Sequence, residues 1–311
     1  MVKEFSEKLH QNIAFAVFGQ DAVIDRVIAS LLAGGHVILE DMTGTGKYTL
    51  IKALAVSLGC QFARIRCTPD LLPEDVTGRK EFSPKTKDFE FHPGTVFTDM
   101  LLADEINRTP PKTQNALINC METYQVSDGE KHYPLNESFF VIASQTPVQN
   151  QNLYPLSESQ LDRFLMSLHL GYPEHDDEKQ ILAGENHLPE KTVSSVQELL
   201  KARESVQKVY TSDEMSEALL AIAEKTRTDK TVQVGLSTRG LQAMHQTAKA
   251  WAAMHGRDYL ISEDIRETAP EVIAHRLIMK GGEILQKMEF RHESAIRMIE
   301  EVLGYEELLL L

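Results

Sequence analysis

Two stretches of this 311-residue chain carry residue types suited to handling a triphosphate. In HVILEDMTGTGK, from His36 to Lys47, an apolar run (Val37, Ile38, Leu39) turns through Gly44, Thr45 and Gly46 into Lys47, and a helix-compatible segment follows. A buried strand, a turn of exposed N–H groups, glycines that let a ligand approach the main chain, and the positive end of a helix together make a phosphate-binding loop. Two positions depart from the strict pattern: Asp41 stands where it asks for Gly, and Tyr48 where it asks for Ser or Thr. On its own the stretch also reads as a glycine-rich strand-to-helix turn with a surface lysine. The second stretch, Met100 to Ala103, is apolar and ends in Asp104-Glu105. A strand beside a phosphate loop must deliver one carboxylate to a magnesium shell, and an adjacent acid can orient the attacking water. These needs assign Asp104 to the metal and Glu105 to the role of catalytic base.

The loop residues Thr43, Gly44, Thr45, Gly46, Lys47, Tyr48 and Thr49, with Asp104, are the candidate nucleotide contacts. A threonine at position 48 would set its hydroxyl about 2.0–2.1 Å from magnesium, whereas a tyrosine oxygen lies several bonds further out. Thr49 offers the nearest other hydroxyl, although the next residue of a helix points roughly 100° away. Asp104 and Thr49 are the candidate metal ligands. Asp41 adds a carboxylate near a place meant for anions.

The elements that must position these groups are legible as an alternation of short apolar runs and helical patterns. Val37–Leu39, Phe62–Arg66, Met100–Ala103, Phe139–Ala143 and Met166–Leu170 read as strands of a parallel sheet with crossovers. Lys47–Leu58 reads as a helix with Leu50, Ile51, Leu54 and Leu58 on one face. Pro110-Pro111 opens another, with Leu117, Ile118 and Met121 on its apolar side. Ser157 with Gln160, Ser195 with Glu198, and Thr211 with Glu214 read as capping boxes, and Ser237 caps a helix running toward His255. Residues 69–97 and 123–138 are too elaborate for plain connectors and read as hairpins. After Gly171-Tyr172-Pro173 the strand-like runs end, so residues from about 176 read as a helical lid, in which Trp251 belongs to the core.

Composition bounds the function. With 32 basic and 46 acidic side chains the net charge is −14, which argues against unspecific attachment to nucleic acid or anionic membrane. Cys60, Cys67 and Cys120 are too few for a disulfide framework and fit buried thiols in a reducing cytosol. No apolar stretch is long enough to span a bilayer, and MVKEFSEKLHQ lacks the apolar core of a signal peptide.

The chain resembles the MoxR group of AAA+ ATPases from about Val17 to about Leu277. The matching stretches include VFGQ (17–20), TPDLLPEDVTG (68–78), LLADEINRTPPKTQNAL (101–117), FFVIASQTP (139–147), YPLSESQLDRFLM (154–166) and GLSTRGL (235–241). The resemblance implies an α/β AAA+ core with a parallel five-stranded sheet over residues 1–175, with hairpin insertions at about 69–97 and 123–138 facing the pore or substrate. An all-α lid over 176–311 follows. It also implies ATP and Mg2+ as cofactors, a hexameric homo-oligomer, a cytoplasmic location, and a protein partner carrying a von Willebrand factor type A domain. By the same resemblance, Gly19 and Gln20 pack near adenine, and Arg163 is the finger offered to a neighbour's nucleotide. Arg239 is the lid arginine touching the γ-phosphate of its own chain, and Thr146 stands where the family has a sensing asparagine. The implied activity is ATP hydrolysis coupled to lid movement and to remodelling of the partner. Asp41, Tyr48 and Thr146 together predict a protein that binds nucleotide, holds magnesium poorly and turns over slowly. The alternative expectation is an ATP-dependent scaffold with weak or no hydrolysis.

Overall fold

The computed structural model describes residues 1–42, 44–129, 131–146, 153–184, 187–189, 191–281 and 287–304. Two helices, α1 (Val2–Ala14) and α2 (Asp21–Ala33), precede β1 (Val37–Glu40), which turns into α3 (Lys47–Leu58). Next come β2 (Phe62–Arg66), the short α4 (Pro73–Thr77), and a hairpin of β3 (Gly78–Ser83) with β4 (Asp88–Pro93). β5 (Met100–Asp104), α5 (Pro111–Thr123), a hairpin of β6 (Gln125–Ser127) with β7 (His132–Pro134), β8 (Phe140–Gln145), α6 (Glu158–Leu161) and β9 (Met166–Leu168) complete the α/β part. The remainder holds α7 (His175–Leu182), α8 (Val196–Gln207), α9 (Asp213–Thr228), β10 (Val232–Val234), α10 (Thr238–Met254), α11 (Ser262–Ile273), β11 (Ile278–Met279) and α12 (Met288–Leu303). Among the described residues its strands are confined to the two-stranded β10–β11 ribbon, and the other elements are helices.

The five expected runs form one parallel sheet in the order β2-β5-β8-β1-β9. Because β1 lies between β8 and β9 while α3 carries the chain to the far edge at β2, a crevice opens beyond the carboxyl end of β1. Ligands of open α/β sheets bind at such switch points. Both faces are covered, which explains the uninterrupted apolar runs. Val37, Leu39, Met100, Leu102, Phe140 and Ile142 pack into one core with α1, α2, α3 and the C-terminal helices. Their alternates Ile38, Leu101, Ala103, Val141 and Ala143 pack into a second core under α5 and the hairpins. The first core runs continuously from α1 to α12, so the sheet and the C-terminal helices share one apolar interior.

Local chemistry sets the element ends. Gly46 (φ 92°) begins α3, and Gly59 (φ 61°) ends it with its amide on Val56, giving the predicted Lys47–Leu58. Ser157 and Gln160 form the expected box, and Ser195 and Ser237 accept from Glu198 N and Gly240 N. The helix expected to be capped by Thr211 is capped instead by Ser212, which accepts from Met215 N at 3.2 Å, while Thr211 is turned to His245. The strand predicted to reach Leu170 stops at Leu168, because the Leu170 amide donates to the Asp41 carboxylate. Both hairpins are present, and they touch: Phe91 and Tyr133 stack at 3.9 Å, and Lys80 meets Asp128 at 2.9 Å. Cys67 and Cys120 are buried, Cys60 is half-buried, and all three are unpaired. Trp251 is half-buried against the first core beneath the Arg26 guanidinium, 5.8 Å from the ring centroid. Among the described residues no helix is long and apolar enough to cross a membrane.

His36, at the amino end of β1, is wholly buried and held by two backbone groups. Val141 N–H donates to Nδ1 (3.0 Å), so Nε2 carries the proton and donates to the Met121 carbonyl (3.1 Å). Burial, only partly opposed by the Met121 bond, pushes the imidazole pKa down from 6.5 to about 4. The unfolded chain therefore binds a proton that the folded chain does not. The resulting stability is fully present above pH 6.5 and is lost as pH falls toward 4. Between about pH 7.5 and about pH 5 this site should cost about 2 kcal/mol. Urea unfolding of wild type and His36→Gln at both pH values measures it: the variant is less stable at the higher pH and loses less on acidification. Equal losses would remove the assignment.

Candidate functional site

The turn after β1 is shaped as an open cradle. Gly44 and Gly46 sit at φ 91° and 92°, a region costly for residues with a Cβ, and a Cβ built on either meets no atom within 4 Å. Gly46 caps α3 with no side-chain bond, so the amides of the first helical turn point into the cradle. Thr45 is buried and its hydroxyl donates to Met42 O (3.3 Å). Lys47 folds back under the turn, donating Nζ–H to Met42 O (2.5 Å) and Asp41 O (3.3 Å). Burial lowers its ammonium below the ordinary lysine value, opposed by the charges of Asp41, Asp104 and Glu105. Thr43 lies outside the described residues.

The neighbouring strand end carries the acids. Asp104 closes β5, and its carboxylate accepts from Ser144 Oγ (2.8 Å) and from the Arg64 guanidinium. Burial alone would raise its pKa. The bonds from Arg64 and Ser144, with the charges of Arg64 and Lys47, outweigh that and hold it below the ordinary carboxylate value. Glu105 follows at φ 60°, a left-handed conformation rare for residues other than glycine and found at functional sites. Its amide donates to Ser144 Oγ (2.9 Å) and its carboxylate pairs with Arg108 at 3.3 Å. Thr146, just past β8, sits at the same end of the sheet, and its carbonyl accepts from Asn107 Nδ2 (3.2 Å). Asn107 Oδ1 is buried and unpartnered among the described residues.

Gly19 (φ 68°) also belongs to this end of the molecule. A Cβ there would lie 2.2 Å from Asp177 Oδ2 at the tip of a side chain, and the left-handed φ itself favours glycine. Gln20, buried, follows as the cap of α2. The strap from Leu170 to Asp177 thus ties Gly19 to the cradle, because its first two amides are held by Asp41.

The Asp41 carboxylate is aimed away from the anion cradle. It is 1% exposed, accepts from Leu170 N (2.7 Å) and Gly171 N (3.1 Å), and lies 2.8 Å from His169 Nδ1. The carboxylate that the sequence sets near the anion site is thus spent on closing the β9 strap. Tyr48 departs further. Its ring leans edge-on against Phe62 (centroids 5.7 Å apart, 72°) under the Arg64 guanidinium (5.2 Å), and 42% of the residue is exposed. Thr49, half-buried, points about 100° further round α3. These donors do not fit a magnesium ion. The hydroxyl position is filled by a ring turned sideways, and the Asp104 carboxylate is already bonded by a guanidinium and a hydroxyl.

Arg163 and Arg239 lie together at the opposite end of the sheet. Arg163 pairs with Glu122 at 3.0 Å, and Arg239 donates to the same carboxylate at 2.7 Å. Asp162 sits 3.5 Å from Arg239 and is anchored by the buried Arg276 at 2.8 Å. This cluster flanks the amino ends of the strands: Leu165 N donates to His36 O, and Met121, beside Glu122, meets the His36 ring. The cradle lies beyond their carboxyl ends, about 13 Å away for a four-residue strand. A parallel sheet thus stands between Arg239 and the cradle of its own chain.

Sequence reasoning did not single out Ser144, Arg64, Glu122 or Asp162. Ser144 and Asp162 lay inside matching stretches without a chemical signal of their own. Arg64 read as one alternating strand residue, and Glu122 as the end of an amphipathic helix.

Comparison with known proteins agrees with this architecture. Residues 36–166 match the ATPase family associated with various cellular activities (AAA), and residues 224–299 match the AAA lid domain. The uncharacterised protein YeaC of Bacillus subtilis is 41% identical over 88% of this chain and 89% of its own length. The chaperone MoxR1 of Mycobacterium tuberculosis is 33% identical over 85% of this chain and 73% of its own. A crystal structure of a candidate ATPase from Cytophaga hutchinsonii superposes with a TM-score of 0.87 at 31% identity, covering 97% of this chain and 95% of that one. A five-stranded parallel sheet with a phosphate-type turn at its switch point, followed by a helical lid, and these relatives, place the chain in the MoxR family of AAA+ ATPases.

Proposed function

We propose that this protein binds ATP in the Gly44–Lys47 cradle and hydrolyses it slowly at an interface between two copies, coupling the cycle to remodelling of a protein partner. The observation that carries this reading is the separation of the site's halves. Lys47, Asp104 and Glu105 stand at one end of the sheet, and Arg163 with Arg239 at the other. A stacked arrangement joins the carboxyl end of one sheet to the amino end of the next. Lys47 and the amides of Gly44 to Gly46 neutralise phosphate charge. Glu105 aligns the attacking water, and Thr146 marks the γ-phosphate end. The neighbour's Arg163 and Arg239 meet the charge that builds on the transferred phosphoryl group. Gly19 and Gln20 flank the base. By family resemblance the ring has six members, the location is the cytoplasm, the lid begins near residue 176, and the partner carries a von Willebrand factor type A domain. The net charge of −14 disfavours nucleic acid as the object.

A second reading, an ATP-dependent scaffold with little turnover, is favoured by one observation: the Tyr48 ring lies against Phe62 and Arg64 and offers no hydroxyl to a metal. Particle mass with and without ATP, with phosphate release followed on the same sample, separates the two. Assembly with turnover supports the first, and assembly alone the second. A monomer that ignores ATP refutes both.

Subunit mixing tests the arginines. Arg163→Ala and Arg239→Ala should each lower kcat about 10³-fold while leaving ATP affinity within about threefold. Mixing either with inactive Lys47→Ala subunits should restore part of the rate, because a mixed interface pairs an intact lysine with an intact arginine. No recovery with the Arg239 variant would return that residue to its own chain's nucleotide. Asp41→Gly, which restores the loop's usual glycine, should lower unfolding stability by about 2–3 kcal/mol without raising hydrolysis, since two charge-assisted bonds are lost. Tyr48→Thr should be faster than wild type in steady-state hydrolysis, and equal rates would discard the ring as the cause of slow turnover.

A further inference from the structure

We propose that the Arg64 guanidinium is the built-in cation of this cradle, standing beside Asp104 where phosphate-loop ATPases hold a divalent ion, so that the protein binds ATP without magnesium. This rests on the nucleotide reading above and deepens it.

The argument starts on β2. Its side chains alternate, and Phe62, Arg64 and Arg66 face the α3 side while Ile65 faces the other core. Arg64 therefore projects toward the first turn of α3, one strand away from the end of β5. Its guanidinium donates to Asp104 Oδ2 and rests over the Tyr48 ring at 5.2 Å. That ring is in turn supported edge-on by Phe62. The substitution that removes the metal's hydroxyl ligand thus supplies an aromatic seat for a cation. A threonine at position 48 offers no such seat, so the two features belong together.

The neighbouring groups complete the place. Ser144 fixes the other Asp104 oxygen at 2.8 Å, so the carboxylate is oriented by two donors before any ligand arrives. Lys47 contributes a second positive charge from the cradle floor. A guanidinium carries five N–H donors in a planar fork matched to phosphate oxygens. One of its nitrogens is committed to Asp104, and the side chain is 31% exposed. The remaining donors are available to a β- or γ-phosphate oxygen.

The test is ATP binding by the full-length protein, read by calorimetry in buffer with magnesium and in buffer with excess EDTA. Wild type should bind with dissociation constants within about threefold of each other in the two buffers. Arg64→Gln should bind about tenfold or more weakly in EDTA and regain affinity when magnesium is added, because Asp104 is then free. Arg64→Lys keeps the charge without the fork and should fall between. Thermal unfolding of each variant confirms that the fold persists, and the wild-type comparison does not depend on any substitution. A wild type that loses tenfold or more in EDTA while Lys47→Ala abolishes binding overturns the proposal and leaves the nucleotide site standing. Wild-type binding in neither buffer, or binding unaffected by Lys47→Ala, overturns the site reading and the proposal with it.

Discussion

A parallel sheet has two unlike ends, and that polarity constrains everything else in this molecule. All five strands point the same way, so their carboxyl ends meet one set of loops and their amino ends another. The glycine turn, the paired acids and Thr146 emerge at the first end, and Glu122, Asp162, Arg163 and Arg239 gather at the second. The central strands between them, β5, β8 and β1, carry buried side chains on both faces. Within one chain the two groups of charges therefore stand apart, with the sheet between them. The shared interior that runs from α1 to α12 has a related effect. The C-terminal helices are packed with α1, α2 and α3 as one body.

At the cradle the deciding group is Asp104. Four polar or charged neighbours converge on it: Arg64, Ser144, Lys47 through its field, and Glu105 through the common Ser144 hydroxyl. The two departures from the loop pattern have opposite meanings when set against it. Asp41 belongs to the scaffold, where it ties β1 to the strap after β9. Tyr48 lies on the cradle side, its ring under the Arg64 guanidinium that bonds the Asp104 carboxylate. One residue in place of a glycine and one in place of a hydroxyl look like equal damage in a linear pattern, and only the direction of each side chain separates them.

Much of the architecture was legible because it depends on local periodicity. The apolar runs at Val37, Phe62 and Met100 begin where the strands begin, and α3 matches to the residue because glycine marks both its ends. The misses came from competition between neighbours. Thr211 and Ser212 are both able to cap, and the threonine is drawn off by His245, which lies 34 positions away. Leu170 has the right side chain for a strand but lends its amide to Asp41. The site followed the same rule: residues that act through their place in a motif, such as Lys47 and Glu105, could be named. Arg64 and Glu122 act through partners contributed by distant strands and helices, and spacing along the chain says nothing of these. The placement of Arg239 needed the sheet itself, since a helix start at Ser237 is compatible with either end.

Glu122 lies three positions before Gln125, where the second hairpin starts, with the end of α5 between them. That hairpin is clasped to the first by the Phe91–Tyr133 stack and the Lys80–Asp128 ion pair. The clasped hairpins are thus joined through the end of α5 to the carboxylate that pairs with both arginines. Insertions and cation pair are thereby anchored to the same few residues at the close of one helix.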